Sequence, residues 1–187
     1  MLCLLLSCPL SDSEIEVWTT PEERAQAGSF APARRAEWLS WRTLVRRELG
    51  SASVRFAYDS VGAPRIEGSP LRLSVSHCEG SIAVALSDAP CAVDVESAAR
   101  DFGRVVARYM TAEERALSSD PLWPALVWCA KETLYKFAGR RELDLLRDLR
   151  IGEVDFRAAT LVGRICGGDP LTLRFLLLAG RVVVYLS

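Results

Sequence analysis

The sequence contains very little histidine and lysine, and its cysteines follow no metal-binding pattern. Among 187 residues there is one histidine, His77, and the only lysines are Lys131 and Lys136. The six cysteines stand singly, with no C-x-x-C pair, so the spacing of a zinc site is absent and a disulfide framework is not expected. We expect free, buried thiols in a reducing compartment, which favours a cytoplasmic protein.

A long hydrophobic run and a net charge of either sign are also absent. No segment approaches the ~18 apolar residues of a membrane span, so no membrane contact is expected. Acidic and basic residues number 24 and 23, which argues against a general nucleic-acid binder and confines any phosphate contact to a local patch. The apolar start Met1–Cys8 lacks the basic region of a signal peptide, and we predict a first strand there.

The length allows one sizeable domain or two intimately packed halves, and 50% of the residues are hydrophobic. The pattern is α+β, with strands and one or two helices in each half, residues 1–89 and 90–187. Capping boxes, apolar periodicity and turn residues predict helices over residues 20–28, 32–49, 101–109 and 121–137. Alternation predicts further strands over residues 14–19, 53–58, 71–75, 82–86, 91–96, 149–156, 160–166, 171–178 and 181–186.

The predicted helix from Pro32 to Leu49 carries aromatic and basic side chains in separate lines. At 100° per residue, Trp38 shares an apolar stripe with Trp41 and Val45. Arg35, Arg42 and Arg46 fall within about 20° of one line. This line is either a solvated basic face or an anion-binding surface, and the helix pattern alone leaves both open.

Two carboxylates stand on one face of the predicted strand that ends at Glu96. Period-2 alternation sends Val93 and Val95 to one face, and Asp94 and Glu96 to the other. Two carboxylates at this spacing lie about 7 Å apart at Cα, which suits one hard cation such as Mg²⁺. An exposed polar strand face would give the same pattern.

The predicted helix that contains both lysines places Trp128, Glu132 and Lys136 on one side, at positions i, i+4 and i+8. A third carboxylate beside the strand pair would complete a magnesium site. Glu132 and Lys136 could instead form an ordinary helix ion pair, worth about 0.3–0.5 kcal/mol.

The segment Ser74–His77 ends a predicted strand at a turn. No nucleophile signature such as G-x-S-x-G accompanies the histidine, so the sequence does not indicate a Ser-His-Asp triad. Ser76 and His77 at a strand end could donate to a phosphate, and a purely structural histidine is the alternative.

Taken together, the order and spacing of these segments resemble the 4′-phosphopantetheinyl transferases of the surfactin-synthetase-activating (Sfp) type. The resemblance rests on Ser76-His77, on Val93-Asp94-Val95-Glu96, and on Trp128-x-x-Lys131-Glu132-x-x-x-Lys136. Arg34-Arg35 with Trp38 and Arg42 resembles the basic N-terminal motif of that family, and Gly62-Ala63-Pro64 stands where these enzymes often have Gly-Lys-Pro. The resemblance runs from about residue 30 to residue 140.

The resemblance implies a pseudo-dimer of two similar α+β halves, monomeric as a chain, with the active site between them. The implied reaction transfers the phosphopantetheine arm of coenzyme A to a serine of an acyl or peptidyl carrier protein. It releases adenosine 3′,5′-bisphosphate and requires Mg²⁺, with Mn²⁺ as a possible replacement.

The resemblance also implies a role for each matching residue. The implied metal ligands are Asp94, Glu96 and Glu132, and the implied catalytic residues are Glu132, Lys136 and His77. Coenzyme A would contact Arg34, Arg35, Arg42, Arg65, Ser76, His77 and Lys136.

Three positions depart from the family pattern. Ala63 replaces the lysine of Gly-Lys-Pro, Ala92 replaces a glycine before the acidic strand, and Cys78 replaces a serine after Ser-His. The first change removes a positive charge beside the phosphates, and we expect Arg65 to compensate in part. Two other readings therefore stay open: a non-catalytic module that binds coenzyme A or a carrier protein, and a Mg²⁺-dependent phosphohydrolase on another fold.

Overall fold

The computed structural model describes residues 1–187 and contains ten strands, five α-helices and one 3₁₀ turn. The strands are β1 (Leu2–Ser7), β2 (Phe56–Tyr58), β3 (Pro64–Ile66), β4 (Arg72–Cys78), β5 (Ser81–Ser87), β6 (Ala92–Ser97), β7 (Leu149–Asp155), β8 (Thr160–Ile165), β9 (Leu171–Leu178) and β10 (Arg181–Leu186). The helices are α1 (Asp12–Trp18), α2 (Pro21–Ala27), α3 (Pro32–Glu48), α4 (Ala112–Ala116) and α5 (Trp123–Ala138), with the 3₁₀ turn at Val106–Arg108.

The N-terminal sheet has the antiparallel order β1-β5-β4, and the β2–β3 hairpin packs beside β4. Its two faces are apolar in different ways. Ile82 and Val84 of β5 pack with Trp41 and Val45 of α3, as the apolar stripe of that helix predicts. The opposite face of β5 carries the small side chains of Ala83 and Ala85, which allow a second sheet to approach closely.

The C-terminal sheet has the antiparallel order β6-β10-β9-β8-β7, the predicted meander. Helix α5 packs across it, mainly on β6 and β10. Leu126 and Leu134 of the helix belong to the same buried cluster as Val182 and Val184 of β10. This cluster is the largest core of the molecule, and it fixes α5 over β6.

The two sheets meet through β4, β5 and β6. Val93 and Val95 of β6 pack with Ala83 and Ala85 of β5 in a buried cluster between the sheets. Serine side chains of β4 accept hydrogen bonds from the β6 backbone, Ser74 Oγ from Val93 N at 3.1 Å and Ser76 Oγ from Val95 N at 3.3 Å. These contacts place the acidic strand between the two halves of the chain.

The same order of elements occurs in both halves. Apart from the shorter helices α1, α2 and α4 and the 3₁₀ turn, a strand is followed by a long helix and then by four more strands, β1-α3-β2-β3-β4-β5 in the first half and β6-α5-β7-β8-β9-β10 in the second. In each half the first strand pairs with the last, which pairs with the one before it. The architecture is α+β, as predicted.

Two predicted elements differ from the structure, and one observed strand has no counterpart among the predictions. Residues 14–19, predicted as a strand, lie in α1, because the Ser11–Glu14 capping box starts a helix despite the alternating Ile15 and Val17. Residues 101–109 form only a 3₁₀ turn, because Asp101 accepts a hydrogen bond from Gly103 N and holds the backbone in a turn. The short strand β3 was not predicted.

The six cysteines are unpaired. Only Cys129 is buried, and Cys8 and Cys166 are exposed, so the prediction of buried thiols holds for one residue. None of the helices combines the length and the apolar character that crossing a membrane requires.

Candidate active site

The acidic side of β6 faces α5, and the alternation predicted for this strand is present. Val93 and Val95 point to the N-terminal sheet. Asp94 and Glu96 are also buried, at 6% and 8% exposure, so they are not a solvated strand face. Burial of a carboxylate costs free energy unless it is paired or hydrogen-bonded, and the partners of both residues therefore matter.

One carboxylate oxygen of Asp94, on β6, accepts hydrogen bonds from side chains of both β4 and α5. Its Oδ1 accepts hydrogen bonds from Ser76 Oγ of β4 at 2.6 Å and from Lys136 Nζ of α5 at 2.8 Å. Lys136 Nζ also donates to the carbonyl of Val93 at 3.0 Å. The structure thus brings together three of the predicted site residues, and it makes Asp94 the partner of both Ser76 and Lys136.

Glu96 is paired with an arginine that the sequence analysis missed. Its Oε2 accepts a hydrogen bond from Arg100, and its Oε1 accepts one from Ser97 N at 2.8 Å. The Arg100 guanidinium lies 5.1 Å from the ring centres of both Phe102 and Trp128. The spacing of four residues between Glu96 and Arg100 is the one signal that could have indicated this pair.

Glu132 is half-buried on α5, and no protein group donates a hydrogen bond to it. Burial raises the pKa of Glu132, and the charge of Asp94 raises it further. Lys136 and Arg100 oppose this shift. Glu132 is therefore a carboxylate without a protein partner, close to the paired carboxylate of Asp94.

The predicted metal ligands suit magnesium by donor type. Carboxylate oxygens are the protein ligands that Mg²⁺ takes, and Glu132 has a free carboxylate beside Asp94. The structure contains no group of three His, Cys, Asp or Glu side chains arranged to hold a metal ion. Asp94 and Glu96 instead point to Lys136 and Arg100, so magnesium binding would require these two cations to give up their partners.

His77 lies between two side chains of α3. Its Nε2 is 2.7 Å from Arg34 Nη1, and its Nδ1 is 3.1 Å from Glu37 Oε2. Because a guanidinium can only donate, Nε2 is the acceptor and Nδ1 carries the proton toward Glu37. Burial lowers the pKa of His77, Glu37 opposes this shift, and Arg34 adds to it. His77 and Arg34, both predicted to contact phosphate, are thus neighbours.

Two of the three arginines in the basic line predicted on α3 are buried and not solvated. Arg42 and Arg46 are 3% and 2% exposed, and both pair with Glu23 of α2. The Arg42 guanidinium lies 3.2 Å from the Trp38 ring centre and donates to the Tyr58 hydroxyl at 3.0 Å. Arg42, predicted to contact coenzyme A, is held inside the protein by these contacts.

Arg35 and Arg65 also lie apart from the acidic strand. Arg35 is exposed and lines a groove with residues of α1, including Asp12 and Ile15. Arg65 donates to Asp59 Oδ2 at 2.7 Å and is not among the residues that line the cavity beside Ala63. The expected compensation for Ala63 by Arg65 therefore finds no support in the geometry.

That cavity has a volume of about 500 Å³ and lies between the turn before β3, the strand β4 and the end of α5. Its lining residues are Val61, Gly62, Ala63, Pro64, Leu73, Ser74, Val75, Cys91, Tyr135, Lys136, Gly139, Arg140 and Arg141. Three of them are cations and none is a carboxylate. Arg140 and Arg141 were missed by the sequence analysis, although they directly follow Gly139, which ends α5.

Lys131, the other lysine, does not reach the acidic strand. It is fully buried, and its Nζ lies 2.8 Å from both Glu114 Oε2 and the carbonyl of Leu145. Glu114 in turn accepts a hydrogen bond from Ile151 N at 2.9 Å. Lys131 of the W-x-x-K-E segment therefore connects α5 to α4 directly, and to β7 through Glu114.

The comparison with curated proteins gives no match. A family comparison gives a match that begins just before β6 and extends into β9, and so includes Asp94, Glu96, Glu132 and Lys136. Residues 90–177 match the family model of the 4′-phosphopantetheinyl transferase superfamily.

Proposed function

We propose that this protein is a phosphopantetheinyl transferase of the Sfp type, acting as a holo-[acyl-carrier-protein] synthase. It transfers the 4′-phosphopantetheine arm of coenzyme A to a serine of an acyl or peptidyl carrier protein, and adenosine 3′,5′-bisphosphate leaves. The repeated order of elements in the two halves supports the pseudo-dimer that this family assignment implies.

One observation carries the proposal. The segment that matches the superfamily contains both β6 and α5, and these two elements meet at Asp94 and Lys136, 2.8 Å apart, with Glu132 beside them. Transfer from a pyrophosphate needs carboxylates to hold a metal cation and a cationic side chain to neutralise the developing phosphate charge. Both kinds of group stand here on one buried junction.

We assign a separate role to each of the side chains near Asp94. Lys136 would turn from Asp94 to the pyrophosphate and neutralise charge as the bond to the leaving group breaks. Glu132, which has no protein hydrogen-bond donor, is the group available to accept the proton of the carrier serine, directly or through water. Arg34 would hold a phosphate of coenzyme A at the start of α3, and His77, whose Nε2 accepts a hydrogen bond from Arg34, would position the guanidinium.

Asp94, Glu96 and Glu132 would hold Mg²⁺ when it is bound, and the ion would supply charge neutralisation at the pyrophosphate. Release of Asp94 and Glu96 from Lys136 and Arg100 frees two cations at the same time. Arg100 is then available to the phosphates from beside the aromatic pair Phe102 and Trp128.

A non-catalytic module of the same fold is the second candidate. The wall of the cavity at Gly62-Ala63-Pro64 offers no charge to a phosphate, and both acidic residues of β6 are already paired with protein cations. Such a protein would bind coenzyme A or a carrier protein without turnover.

Incubation with coenzyme A, Mg²⁺ and an apo carrier protein, followed by mass spectrometry of the carrier, separates these candidates. We expect the carrier to gain one phosphopantetheine arm. Coenzyme A binding without a mass gain would indicate the module, and coenzyme A cleavage without transfer would indicate a hydrolase. The matched controls are a carrier with its acceptor serine replaced by alanine and a reaction with excess chelator.

A further inference from the structure

The cavity beside Ala63 has cations at one end only. Lys136 lies in the last turn of α5, and Arg140 and Arg141 follow Gly139, whose left-handed backbone (φ 60°) ends the helix. The end of a helix carries partial negative charge and by itself disfavours anions. The lining nevertheless contains three cationic side chains and no carboxylate, so we infer a positive potential at this end of the cavity.

The two arginines are not occupied by acidic partners. Lys136 pairs with Asp94, whereas none of the ion pairs in the structure includes Arg140 or Arg141. Arg140 instead contacts a sulfur atom, because its Nη2 lies 2.8 Å from Cys166 Sγ. The next acidic residue along the chain, Glu142, does not line the cavity.

The opposite wall of the cavity is small and apolar. Val61, Ala63 and Pro64 line it from the turn before β3, and Leu73 and Val75 line it from β4. A ligand that fits this space has an anionic group at the α5 end and a less polar part against the turn. Arginine is suited to the anionic group because its planar head presents several donors to phosphate oxygens.

We propose that Arg140 and Arg141 form a phosphate-binding subsite, which supplies from the end of α5 the positive charge that the turn at Ala63 lacks. This proposal rests on the proposed function, in which the occupant is coenzyme A. The bound group is a phosphate monoester or pyrophosphate, and Cys166 is a positioning residue for Arg140.

The test measures binding of coenzyme A and of inorganic pyrophosphate by calorimetry for the protein and for Arg140→Gln, Arg141→Gln and the double variant. Arg157→Gln is the matched control, since Arg157 is an exposed arginine in the turn between β7 and β8, outside the cavity. We expect each single change to raise the Kd for coenzyme A about tenfold and the double change to raise it further, while Arg157→Gln leaves it unchanged. The double replacement by lysine, which keeps the charge, should restore part of the affinity. Circular dichroism verifies that each variant is folded.

The outcomes separate this subsite from the function itself. If the protein loads a carrier but the glutamine variants bind coenzyme A as tightly as the Arg157 control, the subsite is refuted and the proposed function stands. If the protein does not bind coenzyme A, the proposed function fails, and the binding of pyrophosphate then tests the subsite. Pyrophosphate binding that is lost in the glutamine variants supports the subsite, whereas no binding, or equal binding by all variants, overturns it.

Discussion

Replacement of Lys131 by methionine is expected to destabilise the protein. Lys131 and Glu114 are 0% and 2% exposed and lie 2.8 Å apart, although they are 17 positions apart in the chain. Burial lowers the pKa of Lys131, and Glu114 opposes this shift. Removal of one partner leaves the other charge buried and uncompensated, which typically costs about 3–5 kcal/mol.

This loss is large compared with the whole stability of a domain. A total of about 5–15 kcal/mol is usual, so the Lys131→Met variant should lose roughly a fifth of it or more. For a chain of this size we expect Tm to fall by about 6–20 °C. Urea unfolding, followed by fluorescence of the five tryptophans, measures the same change as a lower midpoint.

A double-mutant cycle identifies the cause. Glu114→Gln removes the acidic charge, and the pair of changes should cost less than the sum of the two single changes by at least about 1 kcal/mol. Arg157→Gln, an exposed substitution, should stay within about 0.5 kcal/mol of the parent. A Lys131→Met protein that unfolds at the parent's urea concentration but no longer loads a carrier would refute this reasoning and assign Lys131 to the chemistry.

Further changes test other parts of the structure. Asp94→Asn should lower carrier loading by at least about 100-fold with little change in Tm, because the amide can keep the hydrogen bonds to Ser76 and Lys136 but not the charge. Asp155→Asn is the control. Carrier loading by the parent protein that persists in excess chelator would contradict a magnesium role. Arg42→Gln should lower the free energy of unfolding by about 2–4 kcal/mol and leave the KM for coenzyme A unchanged, since Arg42 is buried beside Glu23. A raised KM at unchanged stability would instead indicate that Arg42 contacts coenzyme A. Burial raises the pKa of Glu23 and the hydrogen bond from Arg46 lowers it, and the net result is a lowered pKa. Glu23 should therefore stabilise the protein at any pH above the ordinary glutamate pKa. This contribution should be lost as the pH falls through the lowered pKa of Glu23. In Glu23→Gln the acid limb of a plot of unfolding free energy against pH should be flatter, and an unchanged limb would contradict the shift. Ala63→Lys should tighten coenzyme A binding several-fold, whereas Arg65→Ala should change it little, because Arg65 pairs with Asp59 rather than lining the cavity.

Local patterns in the sequence predicted the elements that position the site. The apolar stripe of α3 and the alternation in β6 depend on neighbours within a few residues, and the structure contains both. The same rules were wrong for α1, where the capping box at Ser11 and the alternation of Ile15 and Val17 favoured different structures. Two local signals in conflict cannot be ranked without the packing around them.

Residues whose role depends on a distant segment could not be assigned from the pattern. The line of arginines on α3 has the spacing of a solvated face, but Glu23 belongs to another helix and draws Arg42 and Arg46 inside. In the same way, the partner of Lys131 lies in α4, and the Asp94 carboxylate meets Ser76 only because β4 packs beside β6. Arg140 and Arg141 are the opposite case, since their sequence position after Gly139 was visible but the cavity was not.

The ion pairs at the junction have a consequence for ligand binding. Asp94 is paired with Lys136 and Glu96 with Arg100, so the desolvation of these four charges is offset before any ligand arrives. A magnesium ion and a pyrophosphate that enter together would take the carboxylates and the cations respectively, and each charge would exchange one partner for another. A phosphate without a cation would leave Asp94 and Glu96 buried and unpaired as Lys136 and Arg100 turn away. Under the proposed function we therefore expect strong coupling between the binding of Mg²⁺ and of coenzyme A, since either ligand alone would break pairs that only both together replace.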